Sequence, residues 1–259
     1  MAVLDRFRLD GRRALITGGS RGLGRAIAQA LAEAGAGLVL VGRDPDSLDR
    51  ARQELAGLGR KVDVLPADVG VPGQAEQVCR TALERFAPID VLVNNVGGRR
   101  IDVPTEELPL AEWHRILDLN LTSAFLCCKL IGGEMVRRRR GSIINVGSIS
   151  GEIVTRGIGG RSYEAAKGAL TMLTRALAAD WAKYNVRVNL IAPGGFLTDP
   201  NRRWFEQKPE LRATFEAQVP MGRLGEPEEI GPLAVYLAGD GSSYMTGAVL
   251  TLDGGYTVW

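Results

Sequence analysis

Histidine is almost missing from this chain of 259 residues: His114 is the only one. A histidine-rich metal cluster is therefore excluded. A Ser-His-Asp triad would have to use His114 as its base, and no GxSxG nucleophile turn accompanies it. His114 lies in ELPLAEWHRILDL, where it reads as an ordinary helix residue. Any acid-base chemistry must run on other groups. Cysteine is scarce too, at positions 79, 127 and 128. An odd count with an adjacent pair, all in helix-like stretches, argues against a disulfide framework and for small buried hydrophobes. No strong excess of either charge is present, with 32 Lys and Arg against 30 Asp and Glu. A formal charge of +2 gives no electrostatic support for nucleic-acid binding. No segment reads as long and apolar enough to cross a bilayer, and MAVLDRFRLDGRR has no signal-peptide core. The expectation is a cytoplasmic protein with no membrane and no nucleic-acid partner.

What is present is ordinary for a folded domain: 45% hydrophobic and 24% charged residues. Short β-like runs alternate with helical ones: RRALITG, GLVLVG, KVDVLPA, IDVLVNN, GSIINVG, VRVNLIAPG and AVLTLDGG. Two helical stretches are expected between about 105 and 140, and a helical region with prolines follows VRVNLIAPG. Strands apolar on both parities are buried on both faces, which requires a parallel sheet covered by helices. The expectation is an α/β protein with a doubly wound, seven-stranded parallel sheet in three α/β/α layers. Residues 1–259 read as a single domain without a linker-like shift or repeat. Ligands of such sheets bind beyond the C-terminal strand ends, where Thr17, Asn94, Ser148 and Pro193 fall.

In ITGGSRGLGRAIAQ, Gly18, Gly22 and Gly24 stand between the first strand and its helix. Glycines there let the backbone approach a pyrophosphate that the helix N-terminus attracts. The order GxxxGxG differs from the GxGxxG fingerprint, and no GK[ST] follows to make a P-loop. A site for unphosphorylated ribose places an acidic residue at the end of the second strand. Here that strand ends Val41-Gly42-Arg43, and Arg21 sits in the glycine loop. Two guanidinium groups suit a ribose 2'-phosphate. The expected cofactor is NADP(H), with NAD(H) as the alternative because Asp44 could be the acid displaced by two positions. Asp68 and Val69, after the third strand, could fix the adenine, and helix capping is the rival role for Asp68.

SYEAAK places Tyr163 and Lys167 four residues apart on one helix face. An ammonium beside a phenol favours the phenolate. Ser148, ending GSIINVGS, could bond a substrate oxygen near the Tyr163 hydroxyl. This set fits hydride transfer at a secondary alcohol or ketone, with Tyr163 exchanging the proton. Asn120, in DLNLTSAF, could bend its helix and hold a water linking Lys167 to solvent.

TGGSRGLG (17–24), DV (68–69), NNVG (94–97), Asn120, Ser148, YEAAK (163–167) and PGGFLT (193–198) together resemble the short-chain dehydrogenase/reductase family, in order and over essentially the whole chain. The resemblance implies one Rossmann-type domain that binds the dinucleotide and carries the chemistry. It implies a catalytic tetrad of Asn120, Ser148, Tyr163 and Lys167, with Lys167 also on the nicotinamide ribose. It further implies that Asn94 and Gly97 line the cofactor cleft and that Thr198 touches the nicotinamide after the Pro193-Gly194 turn; with Gly18, Ser20, Arg21, Gly22, Leu23, Gly24, Arg43, Asp68, Val69, Tyr163 and Lys167 these are the expected cofactor-binding residues. A homotetramer is implied, packed through helices around 119–139 and 161–182 and the C-terminal region. Two departures stand out. Val96 replaces the alanine of NNAG, and Ser150, not Ser148, lies at the family's spacing from Tyr163. Because the strand ends just before Ser148, Ser148 is the expected serine and EIVTRGIGG absorbs the two extra residues.

A substrate over Tyr163 would meet loops carrying Arg99, Arg100, Arg156, Arg161, Arg202 and Arg203, with Trp204 and Phe205 in the region of about 195–220. Cations around a cleft favour an anionic small molecule. NNVGGRR, the arginine-bearing loop before Tyr163 and the ending DGGYTVW resemble sugar-acid members such as gluconate 5-dehydrogenases. The alternatives are a 3-oxoacyl-[acyl-carrier-protein] reductase, whose carrier could meet Arg137 to Arg140, and a catalytically inactive cofactor-binding protein.

Overall fold

The computed structural model describes residues 2–98, 100–154 and 161–258. Seven strands form one sheet: β1 (Arg13–Thr17), β2 (Gly37–Gly42), β3 (Val62–Pro66), β4 (Val91–Asn94), β5 (Gly141–Val146), β6 (Val186–Pro193) and β7 (Val249–Leu252). Their order is β3-β2-β1-β4-β5-β6-β7, and every pairing is parallel. The chain leaves β1 toward β2 and β3 on one side and returns to β4 on the other. The crevice at this reversal, beyond the C-terminal ends of β1 and β4, is where doubly wound sheets take ligands.

Successive side chains on a strand point to opposite faces, and here both faces are apolar. Ile16, Leu38, Leu40, Val91, Val93, Ile144 and Ile191 join one core with Ile27, Leu31, Leu48 and Ala234. These last come from α1 (Gly22–Glu33), α2 (Pro45–Ala56) and, after the helices named below, α8 (Gly231–Ala238). Leu15, Val39, Val41, Leu92, Ile143 and Val188 point the other way, onto Cys79, Ile131 and Ala178. Those belong to α3 (Pro72–Phe86), α4 (Leu110–Arg138) and α5 (Ser162–Trp181). Each fully buried Leu or Ile contributes about 2 kcal/mol, so the strand pattern itself enforces the three layers. Two shorter helices, α6 (Asp199–Gln207) and α7 (Pro209–Glu216), follow β6 in the chain, and Asn201 of α6 reaches the crevice.

Two expectations need amending. The stretch read as two helices is a short 3-10 turn, Thr105–Glu107, followed by the single helix α4. It reads as broken because two π turns, Asp118–Thr122 and Cys128–Gly132, interrupt its α-helical periodicity. At 29 residues α4 is also long and apolar enough to cross a membrane, contrary to the expectation that no segment is. Here it is half-buried as a layer of the fold, against α3 and α5. The three cysteines are free and buried, Cys79 Sγ lying 3.6 Å from Cys127 Sγ.

Candidate active site

The β1–α1 turn takes its shape from two left-handed glycines, Gly18 at φ +66° and Gly22 at φ +56°. A side chain at Gly18 would meet Asn95 Nδ2 at 2.9 Å, and one at Gly24 would strike the Gly18 carbonyl at 2.2 Å. The turn is braced from β4. Asn95 Nδ2 donates to the carbonyls of Thr17 at 3.0 Å and Gly18 at 3.3 Å, and Thr17 Oγ1 accepts from the Asn95 amide at 3.0 Å. The turn opens on a cleft of about 1290 Å³, which runs past Arg43 and Asp68 to Tyr163.

Gly18, Ser20, Arg21, Gly22, Leu23, Arg43, Asp68, Val69, Gly97, Pro193, Gly194 and Thr198 all line this cleft, as do Ser148, Tyr163 and Lys167. Two of the residues expected there do not. Gly24 is buried behind the turn, where only a glycine lets α1 meet Gly18. Asn94 is 3% exposed and points sideways inside the sheet, donating to Asn145 Oδ1 at 2.9 Å and to Cys128 Sγ at 3.3 Å. Asn95, the second asparagine of NNVG, takes the cleft wall instead. Arg115, Leu119, Phe196 and Asn201 also line it without having been expected. Arg115 and Leu119 follow the helical turns of α4, and no local motif marks them.

Asp44, the candidate for a displaced ribose acid, is exposed on the wall of the same cleft. It caps α2, accepting from the Asp46 amide at 3.3 Å and from the Ser47 hydroxyl, and that bond holds its carboxyl below the usual range. Arg43 is exposed, with Nη1 3.8 Å from Asp68 Oδ2. The other Asp68 oxygen accepts from the Gly70 amide at 2.9 Å, so Asp68 does shape its own turn.

At the far end of the cleft, Ser148 precedes the turn Ile149–Gly151 and shares the cleft wall with Tyr163. Lys167, one turn along α5, is 2% exposed and donates to the Val146 carbonyl at 3.0 Å, with Nζ 5.8 Å from the Tyr163 ring centre. Burial lowers the Lys167 ammonium to about 8. Burial also pushes the Tyr163 phenol above its ordinary value, while the Ser148 hydrogen bond and the Arg100 charge pull it back and Glu164 raises it. Arg100 joins Lys167 beside the ring, with Cζ 4.9 Å from the ring centre. Ser150 is turned away from this role: its hydroxyl accepts from Arg100 Nη2 at 2.8 Å.

Asn120 sits in the first π turn of α4 and is 1% exposed. Its side chain accepts from the Gly98 amide at 2.8 Å and donates to the carbonyls of Gly98 and Ile116, each at 3.0 Å. Single π turns recur at functional sites because they re-aim one residue of a helix. Here the turn ties α4 to the loop after β4, beside Lys167.

Among the loop arginines, Arg99 and Arg156 lie outside the described residues, as does the Trp204 side chain. Arg161 Nη1 lies 3.3 Å from Glu164 Oε1, which Arg100 also engages. Arg202 pairs with Glu226, and Arg203 is exposed. Phe205 is buried in a small cluster with Leu197 and Leu224.

This arrangement joins a dinucleotide-sized cleft to a phenol, a hydroxyl and a buried amine. The family model described as enoyl-(acyl carrier protein) reductase matches residues 18–257. The galactitol 2-dehydrogenase (L-tagatose-forming) of Cereibacter sphaeroides is 43% identical, over 98% of this chain and 98% of its own. The rhamnolipids biosynthesis 3-oxoacyl-[acyl-carrier-protein] reductase of Pseudomonas aeruginosa is 37% identical, over 96% and 98%. A gluconate 5-dehydrogenase from Burkholderia cenocepacia, solved in complex with NADP and tartrate, matches with a TM-score of 0.92 and 35% identity over 100% of both chains. Cleft geometry and similarity over the full length agree: the chain belongs to the short-chain dehydrogenase/reductase family of NAD(P)-dependent oxidoreductases.

Proposed function

We propose that the chain is an NADP(H)-preferring dehydrogenase that oxidises a secondary alcohol of a polyhydroxy compound, a sugar acid of the gluconate type, or reduces the matching ketone. The observation carrying the reaction is that Ser148, Tyr163 and the buried Lys167, one helical turn from Tyr163, stand together on the wall of the glycine-loop cleft. The residues fit a dinucleotide. Gly18 and Gly22 keep the turn free of side chains, Arg21 and Arg43 border the same end, and no carboxylate ends β2. Arg21 and Arg43 would hold the 2'-phosphate, and Lys167 and Tyr163 the nicotinamide ribose. The nicotinamide supplies hydride acceptance or donation at carbon. Tyr163 exchanges the proton with the substrate oxygen, Ser148 orients that oxygen, and Lys167 holds the proton next in line. Asn120 fixes the loop that carries Gly97 and Gly98 against the Lys167 amine.

The anionic substrate rests on charge counting beside Tyr163. Two guanidinium groups, Arg100 and Arg161, face one carboxylate, Glu164, so that wall is positive before any substrate arrives. The relatives named for gluconate and galactitol support a polyhydroxy chain. The relative named for 3-oxoacyl-[acyl-carrier-protein] supports a second reading. That reading needs a basic landing surface, and part of the Arg137–Arg140 run is committed to its own chain. Arg138 bonds Asp90, Glu134 and the Ile89 carbonyl, and Arg139 donates to the Lys183 carbonyl. A homotetramer packed through α4 and α5 is part of the proposal, supported by exposed Phe125 and Met172 on those helices.

Initial rates with NADP+ and NAD+ on gluconate and galactitol, and with NADPH and NADH on 5-ketogluconate and acetoacetyl thioesters, test this reading. Turnover of gluconate with NADP+, abolished by Tyr163→Phe, is expected. Thioester reduction without sugar-acid turnover would replace the proposal by the acyl-reductase reading.

A further inference from the structure

Arg100 comes from the loop after β4, Ser150 from the turn after β5, and Glu164 from the first turn of α5, next to Tyr163. These distant segments meet on one guanidinium. Arg100 Nη1 bonds Glu164 Oε1, Nη2 bonds Ser150 Oγ at 2.8 Å, and Cζ lies 4.9 Å from the centre of the Tyr163 ring. Glu164 is 9% exposed, and its second oxygen is buried without a hydrogen-bond partner. A carboxylate that deep must be paired, so Glu164 locks Arg100 in place. Ser150 completes the clamp from the loop of the site serine, since its amide donates to Ser148 Oγ at 3.1 Å. A guanidinium held over an aromatic face is attracted by the ring, and more strongly once the phenol is ionised.

We infer that Arg100 is a positioning residue for the reaction: clamped by Glu164 and Ser150 against the Tyr163 ring, it promotes the phenolate that accepts the substrate proton. This rests on the reading of Tyr163 as the proton-exchanging group. Among the described residues, the charged groups around Tyr163 are Arg100 from the β4 loop, Glu164 and Lys167 from its own helix, and Arg161 at that helix's start. Lys167 loses its proton near pH 8, so its help fades as the medium becomes alkaline. A guanidinium keeps its charge throughout that range. Glu164 acts the other way on the phenol, and Arg100 offsets it. Removing Arg100 therefore takes away the cation over the ring and leaves the buried Glu164 with Arg161 alone.

The test reads the phenol without turnover. Phenolate absorbance is titrated in the cofactor-free protein for the parent, Arg100→Met, Arg100→Lys, Glu164→Gln and the double variant Arg100→Met/Glu164→Gln. Each is measured against the same protein carrying Tyr163→Phe, and circular dichroism verifies folding. Arg100→Met is expected to raise the Tyr163 midpoint by about one pH unit. The acidic limb of kcat for oxidation of a neutral polyol should move up equally, with KM little changed. Glu164→Gln should lower the midpoint, the double variant should return it toward the parent, and Arg100→Lys should retain most of the effect. A midpoint unmoved in Arg100→Met overturns the inference. So does a loss confined to KM for a sugar acid, which would make Arg100 a substrate-carboxylate ligand. If Arg100→Met does not fold, Glu164→Gln decides: a lowered midpoint supports the clamp and an unmoved one overturns it. Activity surviving in Tyr163→Phe would instead remove the reading of Tyr163 itself, and is distinct from either result.

Discussion

A methyl group on Gly97 would lie 2.8 Å from the Lys167 ammonium and 2.9 Å from Asn120 Oδ1. These two side chains occupy the space a Cβ would need, so the loop after β4 approaches them as bare backbone. Gly97→Ala should displace Lys167 or Asn120 and lower kcat/KM by about 10- to 100-fold, the scale of a displacement of about 1 Å in catalytic groups. Steady-state kinetics, with the thermal unfolding midpoint as a control, checks it. A variant with full activity would mean that the amine position is not critical.

Lys167 also makes stability depend on pH. Its ammonium is lowered to about 8 in the fold from an ordinary 10.5. Between those values the unfolded chain binds more protons than the native one, so stability rises with pH. Wild type minus Lys167→Met should gain up to about 3 kcal/mol from about pH 8 to about pH 10.5. Urea unfolding of both proteins at the two ends of this window measures the difference, in which other titrating groups cancel. A flat difference would show that the native amine keeps its proton.

The two serines of GSIS should separate cleanly. Ser148→Ala removes the partner of the Tyr163 hydroxyl and is expected to lower kcat by about 10²- to 10³-fold. Ser150→Ala removes one of the bonds on Arg100 and should stay within about tenfold of the parent. The reverse order in a kcat comparison would reassign the site serine.

A buried polar chain runs under the site. Asn94 donates to Asn145, Asn145 to Thr174 Oγ1 at 2.8 Å, and Thr174 to the Leu170 carbonyl at 2.8 Å. Asn145→Leu removes one buried hydrogen bond from Asn94 and one from Thr174 and should cost about 1–3 kcal/mol by chemical denaturation. Asn94→Leu/Asn145→Leu together should cost less than the sum of the single changes, because they share one bond.

The strands and the glycine turn were legible because their causes are local: β-branched runs bounded by turn residues, and glycines where φ must be positive. Tyr163, Lys167 and Ser148 were legible as one helical turn and one strand end. Asn94 was misread because the pattern NNVG does not say which asparagine faces outward; the pleat of β4 turns the first inward and leaves Asn95 on the wall. The break in α4 was misread because a π turn shifts helical phase, and the first, Asp118–Thr122, contains no proline or glycine to announce it. Arg100 was noticed only as one loop arginine among six. Its partners Ser150 and Glu164 are 50 and 64 residues away, and no spacing rule reaches that far.

The brace between Asn95 and the β1–α1 turn makes the cofactor end depend on a distant part of the chain. The glycines permit the turn, yet its carbonyls are fastened by a side chain 77 and 78 positions later in the chain. An isolated segment ending before β4 would carry the whole glycine motif and still lack a shaped phosphate cradle.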